Sequence, residues 1–333
     1  MATSNISFSP KEFKVLYKFQ AEHGTSTAGT GMYQLDVDSI SMPSLGEYQS
    51  AEVRSGDGRT MQNLDFYQDN KFTVKEMTFT GKFHLDTAHK LPLYNILNVG
   101  TSNEAPTLAS GFSPNSVAAG ATGLSGHELF TFVIAAPSVT NGKHIEIPDC
   151  VCTNYTLSAD TDTDGGCYKF SMTFASGSKY QDLDDQSTVT SPIEYASTTL
   201  VHMSDFDHSS LKAADVTAPT MKSFSVVVDH PAIFVGASSA GYQVTNRSSE
   251  CAVTFDTQLK YDNLTDELIN TFDAGNALIN GLDLVTLVNF DINVKKSVLT
   301  NASFSEGDIM MIDVSGKAFD DGTNALVEFD FTS

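Results

Sequence analysis

The stretch Lys71-Phe-Thr-Val-Lys-Glu-Met-Thr-Phe-Thr-Gly-Lys-Phe-His-Leu85 decides the fold class. Phe72 and Val74, Met77 and Phe79, and Phe83 and Leu85 are spaced two apart, which lines one face of a strand. The phase slips between Lys75 and Glu76, and a β-bulge there would return the apolar set to one face. The same spacing governs Tyr168/Phe170/Met172/Phe174 and Ala325/Val327/Phe329/Phe331, so the chain reads as mainly β. Only two segments read as amphipathic helices. One runs from Asp86 to about Asn98, with Leu91, Leu93, Ile96 and Leu97; the other runs from Thr265 to about Ile279, with Leu268, Ile269, Phe272 and Leu278. In the second, Thr265 suits an N-cap, and Asp266 and Glu267 suit the exposed N–H groups of a first turn.

The order of elements repeats. The strand Lys71–Leu85 leads into the first helix and a strand Cys251–Tyr261 into the second; Met77 and Phe255, Phe83 and Tyr261, and Thr87 and Thr265 share one offset of 178 residues. After each helix comes an apolar strand, Leu129–Ile134 and Leu284–Val294, then a hairpin and a closing strand. The segments preceding the long strands, about Met32–Arg54 and Lys222–Arg247, both begin with alternating apolar residues and become Ser/Gly-rich. This pattern predicts a tandem repeat of a sheet-plus-one-helix unit, with domains at 1–210 and 211–333. The first unit is longer because Gly100–Gly126 and Ser176–Pro192 read as inserted loops. Ile193–Met203 reads as its closing strand, and Ser204–Pro219 as the linker.

Composition narrows the function. The chain has 333 residues, 41% hydrophobic, which is ample for a large core or two domains. With 41 Asp+Glu against 19 Lys+Arg, its formal charge of −22 excludes a reader of nucleic acid through a basic groove. The acids are interleaved with apolar residues along the whole chain, so they form a solvated face and not a tail. Met1–Pro10 carries no basic segment followed by an apolar one, and no window approaches eighteen consecutive apolar residues; neither a secretion signal nor a membrane span is expected. Four cysteines are too few for a disulfide scaffold, and the expected compartment of synthesis is reducing.

No catalytic constellation emerges. The histidines, His23, His84, His89, His127, His144, His202, His208 and His230, form no compact two-histidine metal motif. Cys150 and Cys152 share a strand phase, but a hairpin centred near Thr163 puts Cys167 opposite about Ala159, several rungs away; these read as buried or partly exposed thiols. Asp160-Thr-Asp162-Thr-Asp164-Gly165-Gly166 begins like a calcium-binding loop, yet Ser171 stands where the bidentate acid belongs, which favours an acidic β-turn. Gly236-Ala-Ser-Ser-Ala-Gly241 lacks the nucleophile-elbow pattern and a phosphate-binding lysine, and Gly56-Asp-Gly58-Arg59 reads as a turn. The chain is therefore read as non-enzymatic, with no catalytic, cofactor-binding or metal residue assigned and no cofactor.

Long amphipathic strands imply broad sheet packing within a domain or edges available to another chain. The sequence resembles the major tail tube protein of long-tailed bacteriophages, in the variety with two tube-type domains. The carrying segments are Phe13–Gln20 (FKVLYKFQ), Met32–Ile40 (MYQLDVDSI), Glu52–Arg59 leading to Lys71–Leu85 with Gly81 inside it, then Lys222–Val228, Ser248–Asn263, the Thr265 helix and the final hairpin through Phe331. The resemblance implies β-sandwich or barrel units with one flanking helix each, and sheets joined between subunits around a channel. It also implies trimeric, pseudo-hexameric rings stacked through long loops, in a virion assembled from protein made in the host cytoplasm. Ser55–Asn70, Gly100–Gly126 and the arm Ala2–Glu22 become candidate stacking elements. The partners implied are further copies of the chain, tape-measure, terminator and distal tail proteins, and double-stranded DNA in transient, non-specific contact, with no membrane. An acidic lumen would keep the phosphate backbone from lodging. Two alternatives stand beside this: another tail or virion component, such as a terminator, baseplate or decoration protein, and an acidic β-rich carbohydrate-binding or hydrolytic protein.

Overall fold

A computed structural model describes residues 12–20, 26–42, 48–50, 66–68, 74–97, 107–108, 129–135, 144–178, 180–183, 189–203, 220–238, 241–248, 250–262, 278–287, 290–305, 307–319 and 326–330. In chain order the first-half strands are β1 (Lys14–Gln20), β2 (Tyr33–Leu35), β3 (Val37–Ser41), β4 (Tyr48–Ser50), β5 (Phe66–Gln68) and β6 (Lys75–Lys82). Helix α1 (Thr87–Leu97) follows, then β7 (Thr107–Leu108), β8 (Leu129–Ala135), β9 (His144–Asp160), β10 (Lys169–Ser176) and β11 (Gln181–Leu183). The second half holds β12 (Met221–Asp229), β13 (Ala232–Ser238), β14 (Gly241–Arg247), β15 (Ala252–Lys260), β16 (Leu278–Leu287), β17 (Phe290–Ser305), β18 (Met311–Ala318) and β19 (Val327–Asp330). The protein is mainly β, built on one large antiparallel sheet.

The spine of that sheet reads β3-β6-β10-β9-β12-β15-β18-β17. Its alternation follows the sequence: Val253, Phe255, Thr257 and Leu259 of β15 are buried, while Asp256 and Lys260 are exposed. The buried face carries one contiguous core drawn from both halves, from Val15 and Phe79 to Phe255, Val314 and Phe329. Its densest part is aromatic. Tyr17, Phe79, Phe130, Phe132 and Phe174 lie ring to ring, with Phe132 and Phe174 centroids 4.5 Å apart and Phe79 and Phe132 5.2 Å apart. Each such ring removed from water contributes about 1.5–3 kcal/mol. Every residue of β8 is buried, so it is a two-sided core strand.

Helix α1 lies where the sequence places it, with its N-terminus capped by Asp86, whose Oδ1 accepts the N–H of His89 (3.0 Å). It does not present the amphipathic face expected of it. Ala88, His89 and the whole run Leu91–Leu97 are buried, because the helix sits against β9 with core around it. Pro92 inside the helix has no N–H to give the carbonyl of Ala88, and Tyr17 Oη donates to that carbonyl instead.

Several expectations need correction. β6 has no bulge at Lys75: its pairing with β10 runs unbroken from Lys82 opposite Lys169 to Lys75 opposite Ser176. Strict period two therefore buries Lys75 (6% exposed) and turns Val74 outward (41%). The buried lysine is accommodated because Nζ donates to Ser178 O (3.1 Å) and lies 5.5 Å from the Tyr180 ring centre. Leu284–Val294 is the meeting of two strands, β16 and β17, which pair with each other. Ile193–Met203 is no regular strand; it crosses three elements through single bridges, Ile193 with Tyr33, Leu200 with His84 and His202 with Cys167, around a short turn of 3₁₀ helix. Ser176–Pro192 is not all loop, since β11 pairs with the start of β9, and β7 within Gly100–Gly126 pairs with β19. The arm Ala2–Glu22 contains β1, a buried strand between β2 and β8. Of the second expected helix, 263–277 lies outside the described residues, and Leu278 and Ile279 open β16. The linker 204–219 also lies outside them.

The two runs β3-β6-β10-β9 and β12-β15-β18-β17 follow one order and carry bulges at matching places. Asp38 is the extra residue between Val37 and Ser39 where β3 meets β6, and Lys222 is the extra residue between Met221 and Ser223 where β12 meets β15. Thr153 is the extra residue of β9 against β10, and Thr300 of β17 against β18. The local sequences agree: Val37-Asp-Ser-Ile-Ser41 with Met221-Lys-Ser-Phe-Ser225, and Val151-Cys-Thr-Asn154 with Val298-Leu-Thr-Asn301. The rung beside the second bulge is Thr78–Thr173–Asn154 in one run and Asp256–Ser315–Asn301 in the other. Thr78 and Asp256 stand 178 residues apart, the offset found from the apolar pattern.

Candidate assembly interface

The runs meet where β9 pairs with β12, from Asp160 opposite Ser223 to Asn154 opposite Asp229. On the core side Leu157 lies opposite Val226 and Ala159 opposite Phe224, all buried. At the end of the joint Thr161 N–H donates to Lys222 O (3.0 Å), and Lys222 Nζ lies 3.0 Å from Asp162 Oδ2. This is an edge-to-edge contact completed by backbone hydrogen bonds and cross-strand pairs.

The outer edges of the spine differ. Among the described residues β3 pairs only with β6, and its far edge has no described neighbour. On β17, β16 stops at Val298, much as β8 stops at Cys150 on β9. Beyond that point Asn301–Ser305 has β18 on one side and no described strand on the other. Large apolar side chains are exposed there: Phe304 (49%), Ile309 (59%) and Met310 (48%). Phe304 packs edge-on against Tyr261, with centroids 5.0 Å apart.

The face of the spine turned from the core is short and polar. Ser39 and Thr80 hydroxyls lie 2.5 Å apart, those of Thr78 and Thr173 3.0 Å apart, and Gln258 Nε2 donates to Asp313 Oδ1 (2.7 Å). A shallow groove of about 260 Å³ between β12, β15 and β18 is lined by Ser223, Ser225, Asp256, Gln258, Asp313 and Ser315, among others. Carboxylates are interleaved here with Lys82, Lys169, Lys260 and Lys317, so no basic stripe forms among the described residues.

The tightest group of titratable side chains lies elsewhere, where the start of β3, the turn into α1 and residues 193–203 meet. His89 Nδ1–H donates to Asp86 Oδ1 (2.8 Å), and its Nε2 accepts the N–H of Asp36 (3.2 Å). His84 bridges Asp36 Oδ2 (2.9 Å from Nε2) and Ala196 O (3.1 Å from Nδ1), while Tyr195 Oη donates to Asp36 Oδ1 (3.1 Å). Burial pushes His89 below the usual histidine range, against the pull of Asp86. Burial also acts to raise the carboxyls of Asp36 and Asp86, but hydrogen bonds from His84 and Tyr195 to the first and from His89 to the second hold both below the carboxylate range. All four ring nitrogens are engaged, so the cluster ties three segments together.

The motifs singled out in the sequence resolve similarly into structure. Asp160–Gly166 is a tight turn: Asp160 Oδ1 accepts the N–H of Asp162 (2.8 Å), Asp164 pairs with Lys169 and Asp162 with Lys222, so two of its three carboxylates face lysines. Cys150, Cys152 and Cys167 are buried, and burial raises the Cys150 and Cys167 thiols above the usual range. Among the described residues no three His, Cys, Asp or Glu side chains gather as metal ligands, and no helix is long and apolar enough to cross a membrane. Gly236–Gly241 falls on the paired strands β13 and β14, in part outside the described residues, as Gly56–Arg59 is entirely. What sequence reasoning missed is which strand edges lack a described neighbour, namely the far side of β3 and the end of β17. Their signal was present in the shared Val-x-Thr-Asn and x-x-Ser-x-Ser texts, which mark the bulges flanking the joint. Compared with known proteins, the chain matches no family model and no curated sequence.

Proposed function

We propose that this protein is a structural subunit of a phage tail tube, a non-enzymatic chain whose copies form stacked rings around a channel for DNA. The observation that carries the reading is the repeated strand order with repeated bulges, joined edge to edge within the chain and, among the described residues, left open at both ends. A tandem duplication accounts for it: one unit within 1–210, a second within 211–333, each able to take an equivalent place in a ring. Three chains would then present six units. The short polar face, free of a basic stripe among the described residues and carried by a chain of formal charge −22, suits a lumen past which phosphate must slide, because interleaved lysines and carboxylates give the DNA backbone no continuous cationic track on which to release counterions. Partners on this reading are further copies, tape-measure, terminator and distal tail proteins, in the virion tail, with transient non-specific contact to double-stranded DNA.

Negative-stain imaging of the purified chain over a concentration series tests it. Hollow tubes or short stacks of rings with threefold averages are the expected result. Isolated globular monomers that bind or cleave a glycan would refute it.

A further inference from the structure

We infer that the edges of β17 at Asn301–Ser305 and of β3 at Val37–Ser41, both unpaired among the described residues, are two halves of one contact. A second copy of this chain fills it, in a register that sets Ser41 of the next copy opposite Ser305. The inference deepens the tail-tube reading and rests on it for the idea that copies meet at all; the register comes from the joint inside the chain.

The bulges supply the alignment. Asn154 and Asn301 follow equivalent bulges on β9 and β17, and Ser223 and Ser39 follow equivalent bulges on β12 and β3. At the inner joint Ser158 lies opposite Ser225 and Leu157 opposite Val226. Carried to the outer edges, those rungs become Ser305 with the next copy's Ser41 and Phe304 with its Met42. Strand direction agrees, because β3 runs against β6 as β12 runs against β15, so the new pair is antiparallel like β9 with β12.

Burial says what is missing. Leu157 is 0% exposed and its counterpart Phe304 is 49% exposed; Phe224 is buried, whereas its counterpart Ile40 is only half-buried. An open strand edge bearing large apolar side chains is a template for another strand, and here the matching strand lies at the opposite end of the same sheet. Such head-to-tail contact either closes into a ring or runs on. One feature of the inner joint is not repeated: the positions of Lys222 and Asp162 correspond to Asp38 and Ile309, so the outer joint leans on apolar contact in place of an ion pair.

Cysteine crosslinking tests the register, in a chain whose partly exposed Cys251 is first changed by Cys251→Ser. Ser41→Cys with Ser305→Cys, oxidised at assembling concentration, is expected to give a ladder of covalent dimers and larger species. Either substitution alone, or Ser39→Cys with Ser305→Cys, should give at least tenfold less. Ser158→Cys with Ser225→Cys, which closes within one chain, verifies the reaction, and Phe304→Asp in the unlinked chain should abolish association. Rings seen by negative stain without a ladder overturn this joint and leave the tail-tube reading standing. A ladder without rings upholds the joint and removes the tube. Monomers throughout refute both, and equal ladders from the shifted pair refute the register.

Discussion

Leu157 and Phe304 stand four residues beyond the equivalent bulge residues Thr153 and Thr300, the first opposite Phe170 and the second opposite Ile312, yet one is fully buried and the other half exposed. Neither strand differs in design. What differs is the neighbour, since β12 lies against β9 and no described strand lies against the end of β17.

That contrast predicts opposite mutational outcomes. Leu157→Ala should lower stability by about 2–5 kcal/mol, because it opens a cavity in a packed core. Phe304→Ser should change monomer stability by less than about 1 kcal/mol and weaken self-association. Urea unfolding beside sedimentation velocity separates the two, and equal destabilisation by both changes would contradict the assignment.

Tyr17 and Pro92 form a second testable pair. Tyr17→Phe leaves the carbonyl of Ala88 without its hydroxyl donor and should cost about 1–3 kcal/mol. Pro92→Ala restores an N–H four residues after Ala88, so the cost of Tyr17→Phe should shrink in that background. A double-mutant cycle by thermal unfolding reads the coupling, and strict additivity would show that the proline is not why the tyrosine is needed.

Acid should act through His89, His144 and Asp86. Burial holds both histidines below their ordinary value, so on acidification the unfolded chain takes up protons near pH 6.5 before the folded chain does. Their contribution is full above the unfolded value and is lost as pH falls toward the folded one. Asp86, held low by His89, adds a loss at still lower pH, as its folded value is crossed. Urea midpoints should therefore fall steadily from pH 7 to pH 4, and His89→Gln, though less stable at pH 7, should show a shallower slope. An unchanged slope would exclude His89 as a contributor.

Two glycines should differ in what replaces them. A Cβ on Gly81 would lie 1.8 Å from the backbone oxygen of Asp36, whereas a Cβ on Gly316 would meet the Phe255 ring at 2.2 Å. A side chain can shift more readily than a paired strand. Gly316→Ala should cost about 1–3 kcal/mol, and Gly81→Ala more, enough to separate β3 from β6. Thermal unfolding ranks them, and the reverse order would contradict the packing of β3.

Much of this was legible in the sequence, because period-two burial governs β6, β10 and β15 and because α1 falls within the segment read as helical from Asp86 to about Asn98. Thr78 and Asp256, on the rungs beside the two matching bulges, stand 178 residues apart. Errors arose where a tertiary partner overrode local pattern. Lys75 is inside because the pairing with β10 keeps strict phase and Ser178 supplies an acceptor, and α1 is buried nearly all round because the core surrounds it. The sequence between β16 and β17, Val288-Asn289, holds no Gly or Pro to mark a break, so two strands read as one. The interface was least legible: open edges are a property of pairing, and Phe304 in sequence looks like any core-phase phenylalanine.

The most direct test of the central claim, that the contact inside the chain is repeated between chains, is hydrogen exchange measured at dilute and at assembling concentrations. Amides of Val37–Ser41 and Asn301–Ser305 should gain at least tenfold protection on assembly, approaching that of β9 and β12, which should stay protected in both states. Assembly that leaves both segments exchanging as fast as in the dilute chain would contradict the account.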